Sequence, residues 1–401
     1  MINLEVPKKF TPAIDQARAV AEHVLRPISR QYDRDEHTYA KELDMLAAAM
    51  AGMEESGSMK GTGATGVKRE KSTGENRNAS NMSTVLSIKE AAKGDLGLML
   101  TIPGQGLGNS AIASVASDEQ MERFKGKWAA MAITEPDAGS DSSAINTTAV
   151  RDGDHYILNG TKIFITAGER ADLLVVWATL DKALGKTAIK SFVVEKGTPG
   201  LQFVRSEDKL GIRASDTAQF VLEDCRVPAE NLLGDPEISA GGGFAGAMQT
   251  FDNTRPLVAG MGIGVAEACL ERTRELLAEA GVEVDWDKPA HSQSAAAQAL
   301  LDMEADFEAA RLLTLKAAWM ADNAKPNSLE ASYAKAKAGR MVVDVALRCV
   351  QLCGPVGYGE TELLEKWARD AKILDIFEGT QQIQLLIIAR RLLGLSSAQL
   401  R

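Results

Sequence analysis

The chain has 401 residues, of which 45% are hydrophobic and 25% charged, enough to bury a large core in two or three globular domains. Its net charge of −10 leaves nothing to neutralise phosphates, which excludes nucleic acid and anionic membranes as partners, and no apolar run reads as a bilayer span. The opening residues, MINLEVPKKFTPA, lack the charged head, apolar middle and small-residue cleavage site of a secretory signal, so a cytoplasmic protein is expected.

Residues 1–128 read as a helical domain. AIDQARAVAEHVLRPI, ELDMLAAAMAGMEES, STVLSIKEAAKG and SDEQMERFKGKW carry apolar residues at three- and four-residue spacing. Between the second and third lies a polar stretch, Ser56 to Ser83, rich in Gly, Lys and Asn, expected to be a surface excursion. Gly104, Gly106 and Gly108 follow in GQGLG. They faintly resemble a phosphate loop, but no strand precedes them, so helix packing or space for a ligand is the better reading.

From Ala129 to Ile238 the period changes to two. AAMAITEP, HYILNG, TKIFITAG, ADLLVVWATL, IKSFVVEK, GLQFVR and TAQFVLEDCRVP are short runs rich in β-branched and aromatic residues. With no helices between them they predict an antiparallel barrel or sandwich, with a tight hairpin at Asn159-Gly160. The segment Thr134–Asp141 (TEPDAGSD) forms a turn whose amides and hydroxyls can face a carbonyl-rich ring or a phosphate, or simply reverse the chain. Asp235 to Gly243 is expected to lead out of the domain.

Residues 239–401 are helical again, with three long periodic segments and two shorter ones suited to a four-helix bundle. Gly260, Gly262 and Gly264 lie within the first. In FDNTRP, Asp252 and Arg255 share a helix face and default to a local ion pair. Cys225, Cys269, Cys349 and Cys353 form no CxxC pair, and the four His residues are scattered, so no metal site is expected. Glu378 falls among Ile376, Phe377, Gly379 and Ile383 at a break between helical pieces. Apolar surroundings raise a carboxyl's pKa toward that of a useful base, although a capping or solvated Glu is the commoner case.

Together AITEPDAGSD, DGDHYILNGTKIFITAG, GIRASDT, FDNTRP, RDAKILDIFEGTQQIQ and the terminal IIAR resemble the acyl-CoA dehydrogenase family, in order and separation, from about residue 85 onward. The resemblance implies an α+β, three-domain fold and an FAD cofactor. Ile133, Thr134, Gly139 and Ser140, with Phe164, Ile165 and Thr166, would hold the flavin ring; Gly379, Thr380 and Gln382 would contact the flavin after the base. Ser140, Asp252, Arg255 and Arg390 match positions that contact the acyl-CoA. Glu378 falls on the family's proton acceptor. The alternative base position is occupied by Thr254, which cannot serve. The implied reaction is α,β-dehydrogenation of an acyl-CoA to the 2-enoyl-CoA, with an electron-transferring flavoprotein as acceptor. An oxidase or monooxygenase on the same fold, or a catalytically silent subunit, is the alternative.

The sequence departs from the family where a neighbouring chain completes the flavin site. Glu283 stands at the Arg position, Trp286-Asp287 replaces the Phe-Gly pair, Ser294 replaces a Gln, and the loop reads Gln351-Leu352-Cys353-Gly354-Pro355. A carboxylate facing a pyrophosphate is repulsive where an Arg attracts. A hetero-oligomer with a homologous second subunit is therefore expected, with a homo-oligomer as the alternative.

Overall fold

Apolar spacing of three and four residues builds helices at both ends of the chain, and the β-branched runs between them build one sheet. The structure is a computed structural model that describes residues 6–55, 78–104, 106–238, 244–396 and 399–400, without the side chains of 51–55 and 244–253.

The N-terminal helices are α1 (Thr11–Val20), α2 (Arg26–Arg34), α3 (Glu42–Glu55), α4 (Ser80–Gly94), α5 (Leu96–Leu100), α6 (Leu107–Val115) and α7 (Asp118–Arg123). A π-helical turn at Ala21–Leu25 joins α1 to α2. Gly94 of α4 approaches that turn so closely that a Cβ would lie 2.6 Å from the Ala21 Cα. Residues 80–83 belong to α4 and not to the polar excursion. The cap comes from afar: the amides of Ala79, Asn81 and Met82 donate to the buried carboxylate of Asp322 at 2.7, 2.9 and 3.1 Å. No local residue announced that start. The remainder of the excursion, 56–77, lies outside the described residues, as does 239–243 of the expected connection.

The middle domain contains β1 (Ala129–Ala132), β2 (Thr148–Asp152), β3 (His155–Thr166), β4 (Leu173–Thr179), β5 (Ile189–Glu195), β6 (Leu201–Ser206), β7 (Thr217–Pro228) and β8 (Leu232–Leu233). They form an eight-stranded sheet in the order β6-β7-β3-β2-β4-β5-β8, with β1 beside β4. Most pairings are antiparallel as expected, but β1 and β2 both run parallel to β4, so the sheet is mixed. Asn159-Gly160 is not a hairpin. Two expected strands fuse there into β3, and Gly160 marks a bulge against β7, where a Cβ would sit 2.3 Å from Thr147 Oγ1. The hairpin falls one strand earlier, at Gly153-Asp154, where Asp152 pairs with His155 and Gly153 takes a φ of 61°. Leu158, Ile165, Val176, Phe192 and Cys225 fill the core of this domain.

The C-terminal helices are α8 (Phe244–Glu279), α9 (Ala295–Asp322), α10 (Ser328–Tyr358), α11 (Leu364–Ala371) and α12 (Gln381–Leu393). Helices α8, α9 and α10 pack on one another, α12 covers α10, and α4 lies along α8. The glycines of GMGIG serve that last contact: a Cβ on Gly260 would lie 3.2 Å from the Val85 carbonyl oxygen, and one on Gly264 2.1 Å from that of Lys89. By length and composition α10 is apolar enough to cross a membrane, contrary to expectation. Its apolar face, including Ala334, Ala338, Val342 and Cys349, is the buried centre of the bundle.

Candidate active site

The three domains enclose a cavity of about 2460 Å³, lined by α1, α3 and α4, the turn after β1, the end of β3, α8, and the segment from Arg369 through α12. It is far larger than the few hundred cubic ångströms a small metabolite needs.

The turn at 133–140 is held by a buried ion pair. Lys162 of β3, 0% exposed, donates to Glu135 Oε1 at 2.7 Å and to the Ile133 carbonyl at 3.1 Å. Glu135 also accepts the amides of Asn146 and Thr147 and the Thr147 hydroxyl. Burial works against this carboxylate, but the Lys162 charge and the donors outweigh it and hold its pKa below the usual range. The fixed turn then presents Ile133, Thr134, Gly139 and Ser140 to the cavity.

Beside it the Ile163 amide donates to the Thr134 carbonyl at 2.9 Å, and the register of β3 against β7 slips between Lys162 and Ile165. The bulge leaves Phe164 with a φ of 55° and 59% of its surface exposed, its ring on the cavity wall. A strained backbone that aims an aromatic ring at empty space suits a flat, partly apolar ligand such as a flavin. Thr166 also lines the cavity, whereas the Ile165 side chain points away into the sheet core, leaving only its backbone for a ligand.

Across the cavity, Glu378 sits between the 3-10 turn Lys372–Asp375 and α12. Its φ of 55° and the φ of 89° at Gly379 turn the carboxyl inward. Thr254 Oγ1 donates to Glu378 Oε2 at 2.6 Å. Desolvation raises the Glu378 pKa, opposed by the Thr254 hydrogen bond and the charges of Lys335 and Arg255. Thr380 caps α12 by accepting from the Ile383 amide at 3.3 Å and, with Gly379, lines the cavity.

Arg255, 7% exposed, and Arg390 also line the cavity. Arg390 is fixed by donation from its Nε to the Leu400 carbonyl at 2.8 Å. Gln382 is exposed and does not line the cavity, and the side chain of Asp252 lies outside the described residues. Two features escaped the sequence reading. Leu257, Val258 and Met261 of α8 form an apolar wall beyond Thr254. Lys335 is buried behind the cavity beside Arg255 and Glu378. AKAK in a helix suggests solvated charge, but position 335 falls on the stripe of Ala331, Ala338 and Val342, a pattern that could have flagged it.

A family model described as acyl-CoA dehydrogenase, C-terminal domain, matches residues 241–393, and one described as acyl-CoA dehydrogenase, middle domain, matches 130–225. The short-chain-specific acyl-CoA dehydrogenase of Clostridium acetobutylicum is 37% identical over 78% of this chain and 82% of its own. Acryloyl-CoA reductase (NADH) of Anaerotignum propionicum is 34% identical over 94% of this chain and 92% of its own. The solved butyryl-CoA dehydrogenase of Megasphaera elsdenii has a TM-score of 0.82 at 32% identity, covering 98% of this chain and 100% of that one.

Proposed function

Because this chain belongs to the acyl-CoA dehydrogenase family and is an FAD-dependent acyl-CoA dehydrogenase, we propose that Glu378 is the base that removes the α-proton of the bound thioester. The observation that carries this is the Glu378 carboxyl itself, turned into the cavity opposite Phe164 and the 133–140 turn. Thr254 occupies Oε2, which leaves Oε1 to accept the proton. Desolvation makes that carboxylate a stronger base than one in water. The Glu378 amide has no acceptor among the described residues and is free to donate to the thioester oxygen as negative charge develops there. Ile133, Thr134, Gly139, Ser140, Phe164, Thr166, Gly379 and Thr380 would hold the flavin. FAD held there would supply the hydride acceptor for the substrate β-carbon. Arg255 and Arg390 supply positive charge for the acyl-CoA, and an electron-transferring flavoprotein is the proposed acceptor.

Replacing Glu378 with Gln tests the assignment. Anaerobic mixing with acyl-CoA is expected to bleach the flavin about 10² to 10⁴ times more slowly than in wild type. Bleaching at the native rate would end the assignment.

For the acyl group, Gly108 offers no room, since a Cβ there would meet the Ala129 carbonyl oxygen at 2.2 Å, whereas Gly106 lines the cavity. The cavity continues past Met261 to Val20 of α1, Val24 of the π-helical turn, and Leu46 and Met50 of α3. That extent supports acyl groups longer or bulkier than butyryl. A panel of acyl-CoAs in which short straight chains give the highest kcat/KM would reverse this reading.

We also propose a heteromeric assembly. Glu283 and Trp286 are exposed, Trp286 at 58%, and Ser294 is engaged in capping α9 through the Ala297 amide at 3.2 Å. Gly354 takes a φ of 55°, so α10 kinks there, and Pro355 follows where the resemblance expects a second glycine. None of these groups resembles an Arg or Gln reaching toward a neighbour's flavin.

A further inference from the structure

Lys335 lies on the buried face of α10, 0% exposed, and its Nζ has no hydrogen-bond partner among the described residues. Its helical neighbours locate it. One turn earlier, Ser332 Oγ accepts from Arg255 Nη1 at 3.4 Å. One turn later, Gly339 packs so tightly that a Cβ would lie 2.6 Å from the Leu374 carbonyl oxygen and 3.5 Å from the Asp375 Cα. Lys335 is thus wedged between the cavity-lining Arg255 and the turn that leads directly into Glu378. A buried ammonium without an acceptor is costly, and packing alone would be met better by an apolar side chain of similar shape.

We propose that Lys335 is a positioning residue for the dehydrogenation: its ammonium, sealed in the bundle behind the cavity wall, holds Glu378 as the anion before the α-proton arrives. This rests on Glu378 being the base. Among the described residues the charged groups around Lys335 are Arg255 from α8 and Asp375 and Glu378 from the segment before α12. Lys372 pairs with Asp375 Oδ2 at 2.9 Å and leaves Asp375 Oδ1 buried without a partner, so Lys335 faces two carboxylates, Asp375 first and Glu378 with it. The coupling is mutual. Burial brings the Lys335 pKa down to about 8 against the pull of Asp375 and Glu378, and the Lys335 charge opposes the upward shift that desolvation imposes on Glu378.

The test is the pH dependence of kcat/KM in the flavin-loaded enzyme, wild type against Lys335→Met. Losing the charge is expected to move the acid limb up by about one pH unit, a roughly tenfold loss at the foot of that limb. The two profiles should converge at alkaline pH, where Glu378 is ionised in both proteins. An acid limb that stays in place while flavin content is normal overturns the proposal. A second measurement needs no turnover: ¹⁵N titration of Lys335 in wild type and in Glu378→Gln. Removing the carboxylate should lower the Lys335 titration point by a similar amount, since coupling is reciprocal; an unchanged value also overturns the proposal, and this titration decides should Lys335→Met lose its flavin. If Glu378→Gln still bleaches its flavin, the base assignment has failed. If that variant is inert and neither titration moves, only the role of Lys335 has.

Discussion

The hydroxyl of Thr254 donates to Glu378 Oε2 at 2.6 Å, joining an α8 residue to one 124 positions later at the foot of α12. Thr254 thus serves the carboxylate by hydrogen bonding to it. A donor to the charged form lowers a carboxyl pKa, so Thr254 works with Lys335 and Arg255 against desolvation.

Replacing Thr254 with Val keeps the shape and removes the donor. The folded-state pKa of Glu378 then rises further, and a larger share of the base is protonated at any acidic pH. The acid limb of kcat/KM is expected to move up by about one to two units, the equivalent of one hydrogen bond to a charged group, with the alkaline plateau retained. A stopped-flow pH series of flavin bleaching checks this.

Lys162→Met leaves Glu135 buried at 5% exposure without its counter-ion. Removing one partner of a buried pair costs about 3–5 kcal/mol. The loss should also loosen the 133–140 turn that Glu135 organises, so the purified variant should carry less FAD. Thermal unfolding and the ratio of flavin to protein absorbance measure the two effects together.

Gly264→Ala drives a Cβ to 2.1 Å from the Lys89 carbonyl oxygen, and α4 must separate from α8. Overpacking of this kind costs about 1–3 kcal/mol. Gly260→Ala, at 3.2 Å from the Val85 oxygen, should cost less. Denaturant unfolding of the two variants ranks them.

The chain purified alone is expected to bind FAD substoichiometrically, and co-expression with a homologous chain that carries the missing Arg and Gln should yield one FAD per pair. Native mass analysis with a flavin spectrum reads both quantities. A homotetramer with one FAD per chain and full activity would refute the heteromeric assembly.

Local signals sufficed for much of this molecule. Period-two runs located the sheet, and spacing of three and four residues located the helices, because burial of one face acts on neighbouring residues. Glu378 stood out as a polar residue in an apolar segment at a helix break. Other features were set by partners distant in sequence. Asp322 caps α4 from 240 residues away, and Thr147 packs against Gly160, turning an expected hairpin into a bulged strand. The parallel pairing of β1 with β4, the outward aim of Phe164 and the inward aim of Ile165 follow from register, which no single run specifies. The sequence by itself determined the family and most of the elements and singled out Glu378, since each depends on residue type and short-range order. Tertiary structure alone decided the electrostatics around that carboxyl: Thr254, Arg255 and Lys335 come from α8 and α10, and desolvation exists only once those helices have closed over it.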